Sequence, residues 1–174
     1  TLKVLEMTVT APEVSVIEEK IAYITGYEDG SFRPDKTITK AEAAAMLTRL
    51  YNVSEAEMEN MRADFKDVNP NAWHSKAVGL LQKLGIVTGY KGAFNPEAAI
   101  TRAEFVTMAA RFSGVSEAEG KSAFTDVAVN HWAAEHIAAA EHKGWLTGYN
   151  DGSFKPNQTI TRAEAVKVMN AVSG

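Results

Sequence analysis

The amino-acid sequence predicts a mainly α-helical single domain whose three lobes surround a pseudo-threefold axis. Three observations lead there: one motif occurs three times, each copy carries the same helix-capping signature, and an apolar stripe at helical spacing follows each cap. Three such helices cannot each bury a face alone, but they can bury them against one another. With 174 residues, 45% of them hydrophobic, the chain is long enough to hide roughly 70% of its unfolded surface in one core.

The repeat is legible by self-comparison. Gly26-Tyr-Glu-Asp-Gly-Ser-Phe-Arg-Pro34 returns as Gly148-Tyr-Asn-Asp-Gly-Ser-Phe-Lys-Pro156, with a version one residue shorter, Gly89-Tyr-Lys-Gly-Ala-Phe-Asn-Pro96, between them. Each runs into Ile-Thr-(Lys/Arg)-Ala-Glu, at Ile38–Glu42, Ile100–Glu104 and Ile160–Glu164, a period of about sixty residues. We divide the chain into an arm or the end of a preceding domain (1–14), an incomplete first repeat (15–60), a second (61–120) and a third (121–174).

In chain order, Leu2, Val4, Met7 and Val9 partly alternate with Thr and Lys, which predicts a strand or extended arm. Residues 15–20 can form a short helix in place of a missing first helix. Alternatively, the arm docks on the domain or exchanges with a second chain. The upstream half of a full repeat is Phe65-Lys-Asp-Val68 with Trp73, and again Phe124-Thr-Asp-Val127 with Trp132; the first repeat has no such half. Trp73, Ala77, Val78, Leu81 and Leu84 make a helical stripe over 72–84, with Asn71 as N-cap and Gly85 as stop. Its counterpart runs from about His131 to Lys143, between Asn130 and Gly144. A short extended piece and the Gly-Tyr loop follow, where Asp29-Gly30 and Asp151-Gly152 suit a tight turn. We expect these loops to lie outside the bundle. Even the linkers echo each other, Val53-Ser-Glu-Ala-Glu57 recurring as Val115-Ser-Glu-Ala-Glu119.

The second helix of each repeat starts at a capping box, in which Thr39, Thr101 and Thr161 stand three residues before Glu42, Glu104 and Glu164. Ile38, Ile100 and Ile160 hold the staple position, facing Ala43, Phe105 and Ala165. Behind the caps come Met46, Leu47 and Leu50; Met108, Ala109 and Phe112; and Val168, Met169 and Val172.

Several function classes lack support in these residues. A net charge of −4 offers no basic patch for nucleic-acid phosphates. Without cysteine there is no disulfide, thiolate metal site or cysteine nucleophile. No apolar run of about 18 residues predicts a membrane span, and any export signal is expected upstream. His131, His136 and His142 share one helix at gaps that do not place a metal pair on one face, and the Asp-Gly loops carry too few oxygens for an EF-hand. We expect no cofactor, no metal and no active site.

The assembled signature, Phe-x-Asp-Val, His131-Trp132-Ala133, Gly-Tyr-x-Asp-Gly-Ser-Phe-x-Pro and Ile-Thr-Arg-Ala-Glu, resembles that of the surface-layer homology (SLH) family, over roughly residues 21–172. The resemblance implies three tandem motifs folded as a pseudo-trimeric spindle. It also implies a non-enzymatic anchor outside the cell, holding a surface-layer protein or exported cargo domain on a bacterial secondary cell-wall polysaccharide. The expected ligand is a pyruvylated sugar; the alternative is a protein–protein assembly module of the cell surface. The first repeat departs by carrying Lys40 where the others carry Arg102 and Arg162, and the second carries Ala72 where His precedes Trp.

A pyruvyl ketal puts one carboxylate on a neutral sugar, so its receptor needs a cation or a cluster of donors beside a flat apolar surface. Helix N-termini offer free N–H groups, and Arg102, Arg162 and, more weakly, Lys40 add a charge at the first helical position, where a cation opposes the helix dipole. Trp73, Trp132, Tyr90 and Tyr149 are candidates to contact sugar rings, although both tryptophans read first as lobe-core anchors and the tyrosines lean structural. Asp67 and Asp126 divide between loop hydrogen bonding and ligand hydroxyls. The Thr and Glu pairs are explained by capping alone, at the edge of the same site.

Overall fold

The computed structural model describes residues 22–51, 53–115 and 120–174. The expected arm over 1–14 and the stand-in helix over 15–20 lie outside the described residues. Within them the fold is helical, with α1 (Lys40–Leu50), α2 (Glu55–Glu59), α3 (Ser75–Lys83), α4 (Arg102–Phe112), α5 (Ala134–His142) and α6 (Arg162–Ser173), and no sheet.

The three predicted capping boxes are present. In each, the Thr hydroxyl accepts from the Glu N–H and the Glu carboxylate accepts from the Thr N–H, which fixes where α1, α4 and α6 begin. Just before these caps the three repeats close on one another. The N–H of Ile100 donates to Ile38 O (3.0 Å), that of Ile160 to Ile100 O (3.0 Å), and that of Ile38 to Ile160 O (3.3 Å). All three isoleucine side chains are buried beneath this ring, so it marks both the axis and the top of the core.

Helix packing follows the same rotation. First helix α3 lies on α1 of the preceding repeat, and α5 lies on α4. The centre fills with Leu47, Phe105, Val106 and Met169. Helix α4, flanked by α1, α5 and α6, is buried over most of its length, whereas α6 buries only Arg162, Ala165, Val168 and Met169.

Two expectations need correction. Helices α3 and α5 start at Ser75 and Ala134, with His74 and Ala133 at the caps and no side-chain cap bond, so Asn71 and Asn130 are not N-caps. The preceding residues form tight turns instead, Ala72 N–H donating to Asn69 O and Ser75 N–H to Ala72 O. The second and third Gly-Tyr loops are not outside the bundle: Phe94 and Phe154 turn into the core and stack on Phe65 (5.6 Å) and Phe124 (5.3 Å). The linker beginning at Val53 holds a short helix, α2, announced by the Ser54–Glu57 capping box in the same Ser-x-x-Glu spacing.

Candidate functional site

The helix N-termini are occupied. The N–H groups of Lys40 and Ala41 donate to Ala98 O and Pro96 O, those of Arg102 and Ala103 to Gln158 O and Pro156 O, and those of Arg162 and Ala163 to Lys36 O and Pro34 O. The third N–H in each first turn goes to the capping Thr. The expectation of free N–H groups for an anion is therefore corrected: the loop of the next repeat consumes them, which is how the lobes are tied together.

The cations at the first helical position also cross between repeats. Lys40 Nζ lies 2.6 Å from Glu104 Oε1. Arg102 Nη1 lies 2.8 Å from Glu164 Oε1, while its Nε donates to Phe154 O at 2.8 Å. Arg102 is buried, and its guanidinium lies over the rings of Phe154 and Tyr149. The Tyr149 hydroxyl donates to the same Glu164 oxygen (3.0 Å); burial, first, raises its pKa.

Rotation predicts a third clasp between Arg162 and Glu42, and among the described residues no such ion pair forms. Buried Arg162 instead donates through Nε to Phe32 O (2.9 Å) and through Nη2 to Thr25 O (2.7 Å). The hydroxyl of Tyr27, counterpart of Tyr149, is buried without a hydrogen-bond partner among the described residues. Around the Tyr27 ring stand three cations: Arg33 at 4.0 Å, Lys36 at 4.9 Å and Arg162 at 5.0 Å. Arg162 and Glu42 both line a pocket of about 160 Å³, together with Thr25, Met46, Arg49 and Trp73. All three repeats contribute to it.

Trp73 and Trp132 are not core anchors: they are 65% and 60% exposed. Each precedes a first helix that packs on the neighbouring repeat, so the rings stand at the groove between lobes. Trp73 lies edge-on to His74, which is buried with Nε2 3.7 Å from Glu97. By repeat register, Trp73, Arg49 and Arg162 map onto Trp132, Arg111 and Lys40. The third position holds Ala171 where the others hold arginine. The structure thus gathers Trp73 with Arg162 and Glu42, but holds Arg102 and Tyr149 on Glu164. Tyr90 is exposed, with Lys91 Nζ 5.2 Å from its ring centre. Sequence reasoning missed Arg49; its signal was recurrence as Arg111, each arginine donating through Nη1 to a backbone oxygen, Tyr23 O (3.1 Å) and Ile86 O (3.3 Å).

Asp67 and Asp126 shape the loops. Asp67 accepts from the N–H groups of Phe94 (2.9 Å) and Asn95 (2.7 Å), and Asp126 from Phe154 (2.7 Å) and Lys155 (2.8 Å). Asn95 and Lys155, which supply the second N–H of each pair, lie at φ 58°, a left-handed conformation that side chains resist. Burial favours the neutral Asp67, but the Phe94 and Asn95 N–H groups outweigh it and lower the carboxyl pKa. Asp29, bound by the Ser31 hydroxyl and Arg33, is lowered to about 2.

Comparison with known proteins matches the S-layer homology domain to residues 22–44, 64–106 and 123–166, more than half the chain. Cell surface glycoprotein 1 of Acetivibrio thermocellus is 34% identical over 165 residues, covering 87% of this chain and 7% of that protein. The cellulosome-anchoring protein of the same organism is 34% identical over 168 residues, covering 91% of this chain and 37% of that protein. S-layer protein EA1 of Bacillus anthracis is 33% identical over 148 residues, with coverages of 83% and 17%. The chain therefore spans well under half the length of these relatives. Among the described residues no helix is long and apolar enough to cross a membrane, and no group of three or more His, Cys, Asp or Glu is placed to hold a metal.

Proposed function

The chain belongs to the S-layer homology domain family, and from that premise we propose that it is a non-catalytic anchor which binds an anionic, pyruvylated cell-wall polysaccharide through the groove between its first two repeats. Its setting is the cell surface, as for the S-layer and cell-surface relatives. The name of the cellulosome-anchoring relative supports tethering as the purpose, with cargo carried elsewhere in a longer protein.

One observation carries the choice of groove: the Arg162–Glu42 clasp is open where its two counterparts are closed, and both residues face a pocket beside exposed Trp73. A ligand carboxylate arriving there meets Arg162 and Arg49, fits the planar fork of a guanidinium, and places the attached sugar ring against the indole. Each charge-assisted hydrogen bond contributes about 1.5–3 kcal/mol, so two of them account for roughly a millimolar site before stacking is added. Lys40 with Trp132 forms the second, weaker groove, because the ammonium already holds Glu104. Asp67, Asp126, Tyr90 and Tyr149 act by shaping loops at the rims, while the Thr and Glu caps set the helix starts. Arg102 serves mainly as a clasp. Several grooves engaging one polymer raise the apparent affinity through effective concentration.

The test is co-sedimentation with purified cell-wall sacculi that retain their polymer, against sacculi stripped of it and sacculi whose pyruvyl groups have been removed. Binding should require both polymer and pyruvyl groups. Equal binding to stripped sacculi would refute the proposal and favour a protein partner.

A further inference from the structure

The first repeat retains a seat that none of the described residues fills. In the second and third repeats this seat holds Phe-x-Asp-Val: the carboxylate takes two successive loop N–H groups, and the phenylalanine stacks on the loop phenylalanine. The ring also sits against a glycine. A Cβ on Gly89 or Gly148 would lie 2.5 Å from Phe65 Cε1 or Phe124 Cε1.

Every receiving part recurs in the first repeat. Arg33 has φ 53°, matching Asn95 and Lys155, so the N–H groups of Phe32 and Arg33 form the same two-pronged donor pair. Among the described residues neither donates a hydrogen bond. Phe32 is 38% exposed, against 5% for Phe94 and 0% for Phe154. Gly26 has been kept, yet a Cβ there would meet only its own loop, Ser31 O at 3.1 Å. Beside the loop, no described helix covers α6 as α3 covers α1 and α5 covers α4. Ala163 is exposed and Val166 half-buried, whereas Ala41, Ala103, Ala44 and Val106 at the equivalent positions are buried. Among the described residues Tyr23 reaches over this face, its hydroxyl donating to Asn170 Oδ1 at 2.5 Å.

Register also shows why residues 2–21 match the seat poorly. Phe65 and Phe124 stand 24 positions before Gly89 and Gly148, and 24 positions before Gly26 stands Leu2, which puts Val4 where the carboxylate belongs. Ser15 and Glu18 then fall at the positions of Val78 and Leu81, both fully buried. The family match likewise begins only at residue 22.

We propose that this seat, formed by the Phe32–Arg33 N–H pair, the space over Gly26 and the open face of α6, is a docking site for a Phe-x-Asp-Val segment and its following apolar helix, carried by a separate chain. The chemistry of the partner is read from the two sister seats, which hold that segment within this chain. Docking would join two surface proteins lobe to lobe, on a different face from the Trp73 groove.

The test adds a synthetic peptide of residues 62–86 to the whole 174-residue chain labelled with ¹⁵N, following the amides by NMR and affinity by calorimetry. The Phe32 and Arg33 amides should move on binding. The Asp67→Asn peptide should bind about tenfold or more weakly, from the loss of at least one charge-assisted hydrogen bond. On the protein side, Gly26→Ala should abolish binding with the circular-dichroism spectrum unchanged. If that variant misfolds, a Phe65→Ala peptide tests the same contact without altering the protein and should likewise lose binding. No binding by the parent peptide, binding that leaves the Phe32 and Arg33 amides unmoved, or equal affinity of the Asp67→Asn peptide would each overturn the proposal.

Discussion

Replacing Arg102 separates a structural clasp from a ligand contact. Its Nε–Phe154 O bond is 2.8 Å and buried, and its Nη1–Glu164 bond is also 2.8 Å. Arg102→Met keeps much of the apolar stem but leaves the Phe154 carbonyl without a partner. Removing one member of a buried pair costs about 3–5 kcal/mol; Glu164 can still reach water and its capping bonds, so the low end, about 3 kcal/mol, is expected. Arg102→Lys reproduces the Lys40–Glu104 geometry, loses the carbonyl bond and should cost about 1–2 kcal/mol. Lys40→Met removes a more exposed pair and should cost about 1 kcal/mol or less. Urea unfolding followed by circular dichroism gives all three as midpoint shifts at constant slope. Arg102→Met unfolding within about 1 kcal/mol of the parent would refute the clasp, returning Arg102 to the ligand-binding residues.

Trp73→Ala should leave stability within about 0.5 kcal/mol of the parent, because the ring is exposed, yet reduce retention on pyruvylated sacculi about tenfold or more; unchanged retention would remove the indole from the site. Gly148→Ala forces a Cβ to 2.5 Å from Phe124 Cε1 and 2.8 Å from Ser153 O, so thermal melts should show a loss of about 2–3 kcal/mol, against less for Gly26→Ala, where the nearest described atom is Ser31 O at 3.1 Å. In acid, the folded-state pKa values of Asp29, Asp67 and Asp151 all lie below the ordinary 3.8. Their contribution to stability is complete above that value and lost as pH falls through the folded values, down to about 2 for Asp29. Unfolding free energy should therefore stay level to about pH 4 and then fall, less steeply in Asp67→Asn; an unchanged slope in that variant would exclude Asp67 as a source.

The capped helices were legible because their signals are local: Thr and Glu three residues apart, then an apolar stripe, need nothing from the rest of the chain. The repeat similarly announced the threefold plan. What stayed hidden depends on contacts between lobes. No spacing reveals that Pro34, Pro96 and Pro156 spend their carbonyls on a neighbour's helix start, so free N–H groups were expected where there are none. Trp73 sits in an apolar stripe and reads as core, but it precedes the helix, whose turn at Ala72–Ser75 swings the ring to the surface. Arg102 and Arg162 look equivalent in sequence. Only contacts between lobes tell them apart: Arg102 closes on Glu164, whereas Arg162 donates through Nη2 to Thr25 O and shares a pocket with Glu42.

The isoleucine ring has a consequence in time. Ile38 must wait for Ile160, which follows it by more than a hundred residues, before its N–H finds an acceptor. Contacts so distant in sequence slow folding, because the chain entropy is surrendered before the contact forms. A chain emerging from its N-terminus cannot complete the ring until the last repeat appears. The domain therefore locks only once its final third has arrived.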